Sequence, residues 1–178
     1  MNGVAVVCFA LVFVGVGLSV ASLVTPYWIQ WKFKYRDTIY QHNGLWKFCQ
    51  DGNCTTSCTS DIPRLGVTLH VVRAFAVASV LLSLPVFLLL AVNCKKALRW
   101  SLRTSAIVLF LQAILFIISL GVYAAKEEAE LIEDLDVDYS FGYSFMLGLL
   151  AVAAFIVEAF VFLCAGHRFS KDSYNAIQ

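Results

Sequence analysis

Four long apolar runs, separated by stretches rich in charged and aromatic residues, predict the elements. Gly3 to Pro26 carries no charge, and neither does Ala74 to Cys94, which Arg73 immediately precedes. The third run is Thr104 to Ala125, and the fourth, Tyr139 to Cys164, holds a single charge at Glu158. Each offers roughly 20 or more residues, enough at about 1.5 Å per residue to cross about 30 Å of hydrocarbon. Lipid offers no partner to backbone N–H and C=O groups, so each run is expected to be a helix. The chain, 1–178, is accordingly read as a single four-span membrane domain. Its expected spans are 4–25, 67–93, 104–125 and 139–165, joined by loops 27–66, 94–103 and 126–138, with a tail at 166–178. The first run reads as a span and not as a cleaved leader. Met1-Asn2-Gly3 has no basic residue, and Pro26-Tyr27-Trp28 stands where a small-residue cleavage site would be needed.

The loop 27–66 has a pattern of its own. Trp31-Lys32-Phe33-Lys34-Tyr35-Arg36 alternates aromatic and basic side chains, the period of a half-exposed strand. Leu45 to Cys49 is a second strand candidate after the turn-forming Asn43-Gly44, and Asp51-Gly52 marks a further reversal. Cys49 and Cys54 are spaced to close a short hairpin, and a bond between them is expected. Cys58 is an alternative partner, because connectivity among three cysteines is not set by sequence. A zinc site there would need a fourth ligand beyond His42, on an oxidising side, so a disulfide is the expectation and no metal is. Asn53-Cys54-Thr55 is a sequon for N-glycosylation at Asn53. The loop 126–138 differs in kind. Glu127, Glu128, Glu130, Glu133, Asp134, Asp136 and Asp138 stand against Lys126 alone, without the glycine and ligand spacing of an EF-hand. Such a segment serves either as an electrostatic contact surface or as a solvated loop.

Composition narrows the class. Hydrophobic residues make up 60% of the chain, charged residues 14%, and mean hydropathy is +0.78. A soluble globule carries about 25% charged side chains. The net charge of +1, with no basic stripe, excludes a nucleic-acid-binding domain. Basic residues do not orient the bundle. Lys95, Lys96, Arg99, Arg103, Arg168 and Lys171 balance Lys32, Lys34, Arg36, Lys47, Arg64 and Lys126 on the other side. The cysteines and the sequon do: disulfides and glycans belong to the extracellular or luminal side, so both termini are expected in the cytoplasm.

Within the spans, Arg73 and Glu158 are expected about 9 Å apart along the membrane normal, too far to pair. Arg73 is expected to reach the headgroups or the base of the first outer loop. Glu158 is expected to be neutral or bonded to a neighbouring helix. Ala74/Ala78 and Ser144/Gly148 are candidates for close helix packing. Cys94 and Cys164, beside Lys95-Lys96 and His167-Arg168, sit where reversible palmitoylation occurs, and Cys8 is core or lipid-facing filler. His42, His70 and His167 are scattered, and no hydrolase, phosphate-loop or metalloprotease motif is present, so neither enzyme activity nor a cofactor is expected.

Trp28, then Gly44-Leu45-Trp46, then Cys49 and Cys54 form a signature that resembles the claudin and peripheral-myelin-protein superfamily. Arg73-Ala74 at the second span and Phe141-Gly142-Tyr143-Ser144-Phe145 at the fourth are similar to the same group, the latter to its lens-fibre and epithelial-membrane-protein branch. The short Cys49–Cys54 interval and the terminal Gln178 resemble its short-loop, non-sealing members. The resemblance implies an all-α transmembrane fold, a left-handed four-helix bundle with a small extracellular β-sheet formed by the outer loops. It also implies that Trp28 and Gly44-Leu45-Trp46 anchor this sheet with aromatic rings at headgroup depth. The implied function is that of a structural, adhesive plasma-membrane protein organising cell–cell contacts. Two other readings are an auxiliary subunit of an ion channel or receptor, which would use the Ser144/Gly148 helix face, and a claudin-like paracellular barrier or pore. The implied partners are the protein itself or related four-span proteins in cis and in trans, a channel or receptor, and membrane lipid, with no nucleic acid.

Overall fold

A computed structural model describes residues 3–33, 39–50, 52–56, 63–95, 99–131 and 137–175. The helices are α1 (Gly3–Val24), α2 (Pro63–Leu81), α3 (Ser83–Lys95), α4 (Arg99–Leu131) and α5 (Tyr143–Asn175). The strands are β1 (Ile29–Phe33), β2 (Ile39–Asn43), β3 (Lys47–Gln50), β4 (Asn53–Thr56) and β5 (Val137–Phe141). Four segments are long and apolar enough to cross a membrane: Val6–Val24, Thr68–Val92, Trp100–Ala125 and Tyr143–His167. The helices close into a ring, with α5 packed on α1 and α4, α4 on α2 and α3, and α3 back on α1.

The segment expected as one helix over 67–93 is two, α2 and α3, interrupted at Leu82. Pro85 accounts for the break, since it has no N–H for the carbonyl four residues back and its ring clashes there. Ser83 Oγ donates to Val80 O at 2.6 Å, and Leu82 N donates to Ala78 O at 3.1 Å, so the interruption is held by local bonds. The other limits also move. α4 runs well beyond 104–125 at both ends, and α5 runs past 165 to Asn175. Residues 139–141, expected as the start of the fourth span, belong to β5, and α5 opens only at Tyr143.

Along α4, the buried residues Leu102, Ala106, Leu109, Ala113, Phe116, Leu120 and Tyr123 step by four and three, a heptad seam. Ala alternates with larger side chains in its first half, which lets neighbouring helices come close. The opposite face, Ile107, Phe110, Ile114 and Ile117, is exposed and as apolar as the core. Lipid demands this, so no amphipathic contrast marks the inward side. Serines set the helix register. Ser101 Oγ donates to Leu89 O at 2.9 Å, Ser79 Oγ to Gln112 O at 2.9 Å and Ser119 Oγ to Val72 O at 3.0 Å. All three fix α4 antiparallel to α2 and α3. Ala74 and Ala78, expected at a helix contact, lie instead on the exposed face of α2. Interhelical bonds of this kind average about 0.6 kcal/mol. A Ser79→Ala/Ser119→Ala chain is therefore expected to lose about 1 kcal/mol in denaturation from micelles, with its fold retained.

The strands form one antiparallel sheet in the order β4-β3-β2-β1-β5. The second outer loop thus contributes an edge strand, pairing Ile29 with Phe141 and Trp31 with Tyr139. The alternation seen at 31–36 begins in β1, with Ile29 buried, Trp31 half-buried and Lys32 exposed; residues 34–36 lie outside the described residues. Leu45 and Trp46 lie in the turn before β3 and not in a strand, whereas β2, unexpected from the sequence, supplies the middle of the sheet. The β3–β4 reversal occurs at Asp51-Gly52, where Gly52 takes φ 80°, a region that glycine enters without steric cost.

Candidate functional site

The most constrained part of the molecule is the collar where the sheet meets the bundle. Trp28 links the end of α1 to β1 and is fully buried. Its indole Nε1 donates to Ser22 O at 2.7 Å and its backbone N to Asn43 O at 2.9 Å, while its carbonyl accepts Gly142 N at 3.0 Å. The ring meets Tyr123 of α4 and Phe145 of α5 edge-on, with centroids 5.0 and 6.0 Å away. Three helices therefore converge on its side chain and both outer loops on its backbone. The indole, expected at headgroup depth, is enclosed by protein groups. The N–H finds its acceptor inside the protein, so the ring needs no wet interface.

Around Trp28, backbones touch where glycines allow it. A Cβ at Gly44 would lie 2.5 Å from Pro26 Cα, and one at Gly142 would fall on the Tyr27 carbonyl oxygen. Gly44 N donates to Lys47 O at 2.8 Å, closing the turn that presents Leu45 and Trp46. Leu45 is buried, and its carbonyl accepts Arg73 Nε at 2.7 Å. The Arg73 guanidinium carbon lies 5.0 Å from the centroid of Trp46, whose ring is 40% exposed. The arginine at the outer end of α2 thus holds the first loop by a charge-assisted hydrogen bond and a cation–π contact.

A second set of ties was not anticipated. Ser144, buried near the start of α5, accepts Ser22 Oγ on its carbonyl at 2.7 Å and Tyr27 N on its own Oγ at 3.0 Å. Its N–H donates to Tyr27 O at 3.1 Å. Thr25 Oγ1 donates to Ala21 O at 2.6 Å, so in the 2.7 Å contact between Thr25 Oγ1 and Ser144 Oγ the serine is the donor. The last turn of α1 and the segment that follows it are thereby sewn to α5. The available signal was hydroxyl residues at the ends of apolar runs, since lipid leaves them no other partners. Gly148 lies one turn further along α5, where an added Cβ would sit 3.0 Å from both Ser22 Oγ and Leu120 Cδ2. Ser144 and Gly148 thus form the close helix contact expected of them, within the bundle.

On the outer part of the sheet, Cys49 and Cys54 face each other across β3 and β4 and are joined, S–S 2.06 Å. Cys58 lies outside the described residues. His42 stands opposite Cys49 on β2, stacked on Tyr27 with centroids 4.1 Å apart and planes 5° apart; Tyr27 in turn stacks on Tyr143. Burial pulls the His42 imidazole below its ordinary pKa. Asn53 opens β4 with its side chain exposed, as are all four side chains of that strand. Nothing is described of the side chains of 126–138, nor of Cys94; Cys164 is exposed on α5.

Glu158 is buried far from the collar, against α1. A Cβ at Gly15 would lie 2.6 Å from Glu158 Oε1, and Oε2 has no hydrogen-bond partner among the described residues. Gln112, also fully buried, leaves both amide atoms unpartnered among them. Neither group belongs to the collar, and no catalytic arrangement surrounds them among the described residues.

A comparison with curated proteins finds no match. The model of the PMP-22/EMP/MP20/Claudin family matches residues 2–162, nearly the whole chain. It takes in all five strands, the disulfide, Trp28, the Gly44-Leu45-Trp46 turn and Arg73. Four apolar spans capped by a sheet drawn from both loops, with a family match over residues 2–162, establish a multi-pass membrane protein that belongs to the PMP-22/EMP/MP20/Claudin family of structural membrane proteins.

Proposed function

We propose that this protein is a structural and adhesive component of the plasma membrane that organises cell–cell contacts. It would do so through the sheet made by its outer loops and through lateral assembly with itself or with related four-span proteins. The observation that carries this reading is the collar. Backbone contacts too close for a Cβ, together with Trp28 and Arg73, hold a small sheet on the bundle, and the outermost strand, β4, has every side chain exposed. A sheet fastened in this way, whose edge strand β4 pairs only with β3 among the described residues, suits contact-making, since a strand edge and exposed side chains are ready partners.

The sheet would face the cell exterior, with both termini cytoplasmic, because the Cys49–Cys54 bond persists in an oxidising compartment. Asn53 would carry a glycan only where glycosylation precedes closure of the neighbouring Cys54 bond. Cys164, and Cys94 in sequence, remain candidates for palmitoylation. The short interval between the two cysteines favours the short-loop branch of the family. An auxiliary-subunit role would have to use the exposed residues flanking Ser144 and Gly148, such as Met146 and Leu149, since those two pack within the bundle.

The test is aggregation of non-adherent cells displaying the protein, beside cells displaying a Cys49→Ser/Cys54→Ser chain at equal surface level. The wild type is expected to cluster cells and the variant to lose clustering. Absence of clustering by a well-displayed wild type would end the adhesive reading.

A further inference from the structure

The proposed function gives His42 no task, yet its position is specific. Register pairs His42 with Cys49 across β2 and β3, and Cys49 with Cys54 across β3 and β4. Residues directly opposite in an antiparallel sheet project to the same face. Three residues of metal-ligating type therefore form one row over three adjacent strands, and an imidazole nitrogen and the two sulfurs all lie within 4.8 Å of one another. The flat stack on Tyr27 fixes the plane of the imidazole and leaves its edge free to point a nitrogen at the sulfurs. Cys49 is buried while Cys54 is exposed, so one end of the row is open to solutes.

In the oxidised protein the sulfurs are spent on each other and bind no cation. We propose that reduction of the Cys49–Cys54 bond converts this row into a three-ligand site for a soft divalent cation of the Zn²⁺ class, held by His42, Cys49 and Cys54 with a water in the fourth position. The reductant is a low-molecular-weight thiol, which attacks the exposed Cys54 sulfur. Two such thiols give up two electrons and two protons, leaving two cysteine thiols and one exogenous disulfide. The cation then displaces the two thiol protons to water and binds the thiolates.

The geometry accommodates this with little movement. Tetrahedral Zn²⁺ with bonds of about 2.3 Å to sulfur and about 2.0 Å to nitrogen spaces its ligand atoms by about 3.5–3.8 Å. The imidazole nitrogen and the sulfurs, all within 4.8 Å of one another, already lie close to that spacing. The three-strand row would then exchange a covalent staple for a metal one. The sheet would stay closed under reducing conditions, and its state would report both redox poise and cation supply.

The test uses the full chain in nanodiscs, carrying Cys58→Ser, Cys94→Ser and Cys164→Ser so that Cys49 and Cys54 supply the accessible thiols. It is reduced with a phosphine, desalted under nitrogen and titrated with Co²⁺ as the spectroscopic stand-in for Zn²⁺. The expected result is a sulfur-to-cobalt charge-transfer band saturating at one ion per chain, present only after reduction and erased by Zn²⁺. His42→Asn leaves the disulfide free to form, so its folding can be verified in the oxidised state. It is expected to weaken Co²⁺ binding by more than the roughly 10–100-fold cost of losing an outer-shell partner. The proposal is overturned by absence of the band after reduction, by equal binding to the oxidised chain, or by equal binding to His42→Asn. A sheet that collapses on reduction, read by near-ultraviolet dichroism of its tryptophans, overturns it as well, because the row no longer exists.

Discussion

Gly142→Ala is expected to destabilise the protein by about 3 kcal/mol or more, at the top of the usual range for overpacking and beyond what its single methyl group suggests. The added Cβ would land on the Tyr27 carbonyl oxygen and 2.8 Å from the Tyr27 carbonyl carbon, both main-chain atoms. Neither side can yield cheaply. Tyr27 O is bonded to Ser144 N, Gly142 N to Trp28 O, and Trp28 N to Asn43 O. Moving one strand therefore pulls on the start of α5, on β1 and on β2 together. The consequence should be regional, with the sheet leaving the bundle before the helices separate. The measurement is thermal denaturation in micelles alongside the fraction of chain reaching the cell surface, with Gly17→Ala and Gly121→Ala as controls. At those two positions an added Cβ meets nothing within 4 Å, so the helix gains from losing a glycine, by up to about 1 kcal/mol each. A Gly142→Ala chain as stable as these controls would mean that the two backbones do not meet.

The contrast between glycines shows where sequence reading reached and where it stopped. Span length and hydropathy disclose four helices because lipid forbids other backbone states, but the same solvent erases the contrast between inner and outer faces. Leu109 and Phe110 are adjacent and equally apolar, yet the first is buried and the second 50% exposed. The sequence divides β5 between the 126–138 loop and the fourth span because Val137, Tyr139 and Phe141 alternate with polar residues only briefly before a long apolar helix. Pro85 marked the break in the second span in plain view, though an uninterrupted run of apolar residues masks such a signal. The outer loop was more legible because water is its solvent. Aromatic–basic alternation, a turn glycine and paired cysteines each have a local physical meaning there. The collar was half legible. Arg73 had to find a polar partner near the loop base, but its acceptor, a main-chain carbonyl at Leu45, leaves no trace in side-chain identity. The same holds for Ser22 and Ser144, whose bonds run to carbonyls and to each other's helix.

Trp28→Ala should be as damaging as Gly142→Ala, at about 3–5 kcal/mol, because it opens a large cavity beside Tyr123 and Phe145 in a fully buried position. Its comparison with two milder variants separates two physical roles for the residue. Trp28→Phe keeps most of the apolar bulk and removes the indole N–H, leaving Ser22 O without its donor, and should cost about 1–3 kcal/mol. Trp46→Ala removes a ring that is 40% exposed and rests against Arg73, so the loss should be about 1 kcal/mol, the worth of a cation–π contact at a half-open site. A residue buried among helices predicts the order Trp28→Ala, then Trp28→Phe, then Trp46→Ala, independent of the surrounding lipid. A residue anchored among headgroups predicts that Trp28→Phe costs little and that its effect changes between detergent and bilayer. Denaturation of the three variants in micelles and in nanodiscs distinguishes these cases. Invariance of the first order between the two media would establish that the sheet is fastened to protein, through Trp28, and owes the membrane surface nothing for its position.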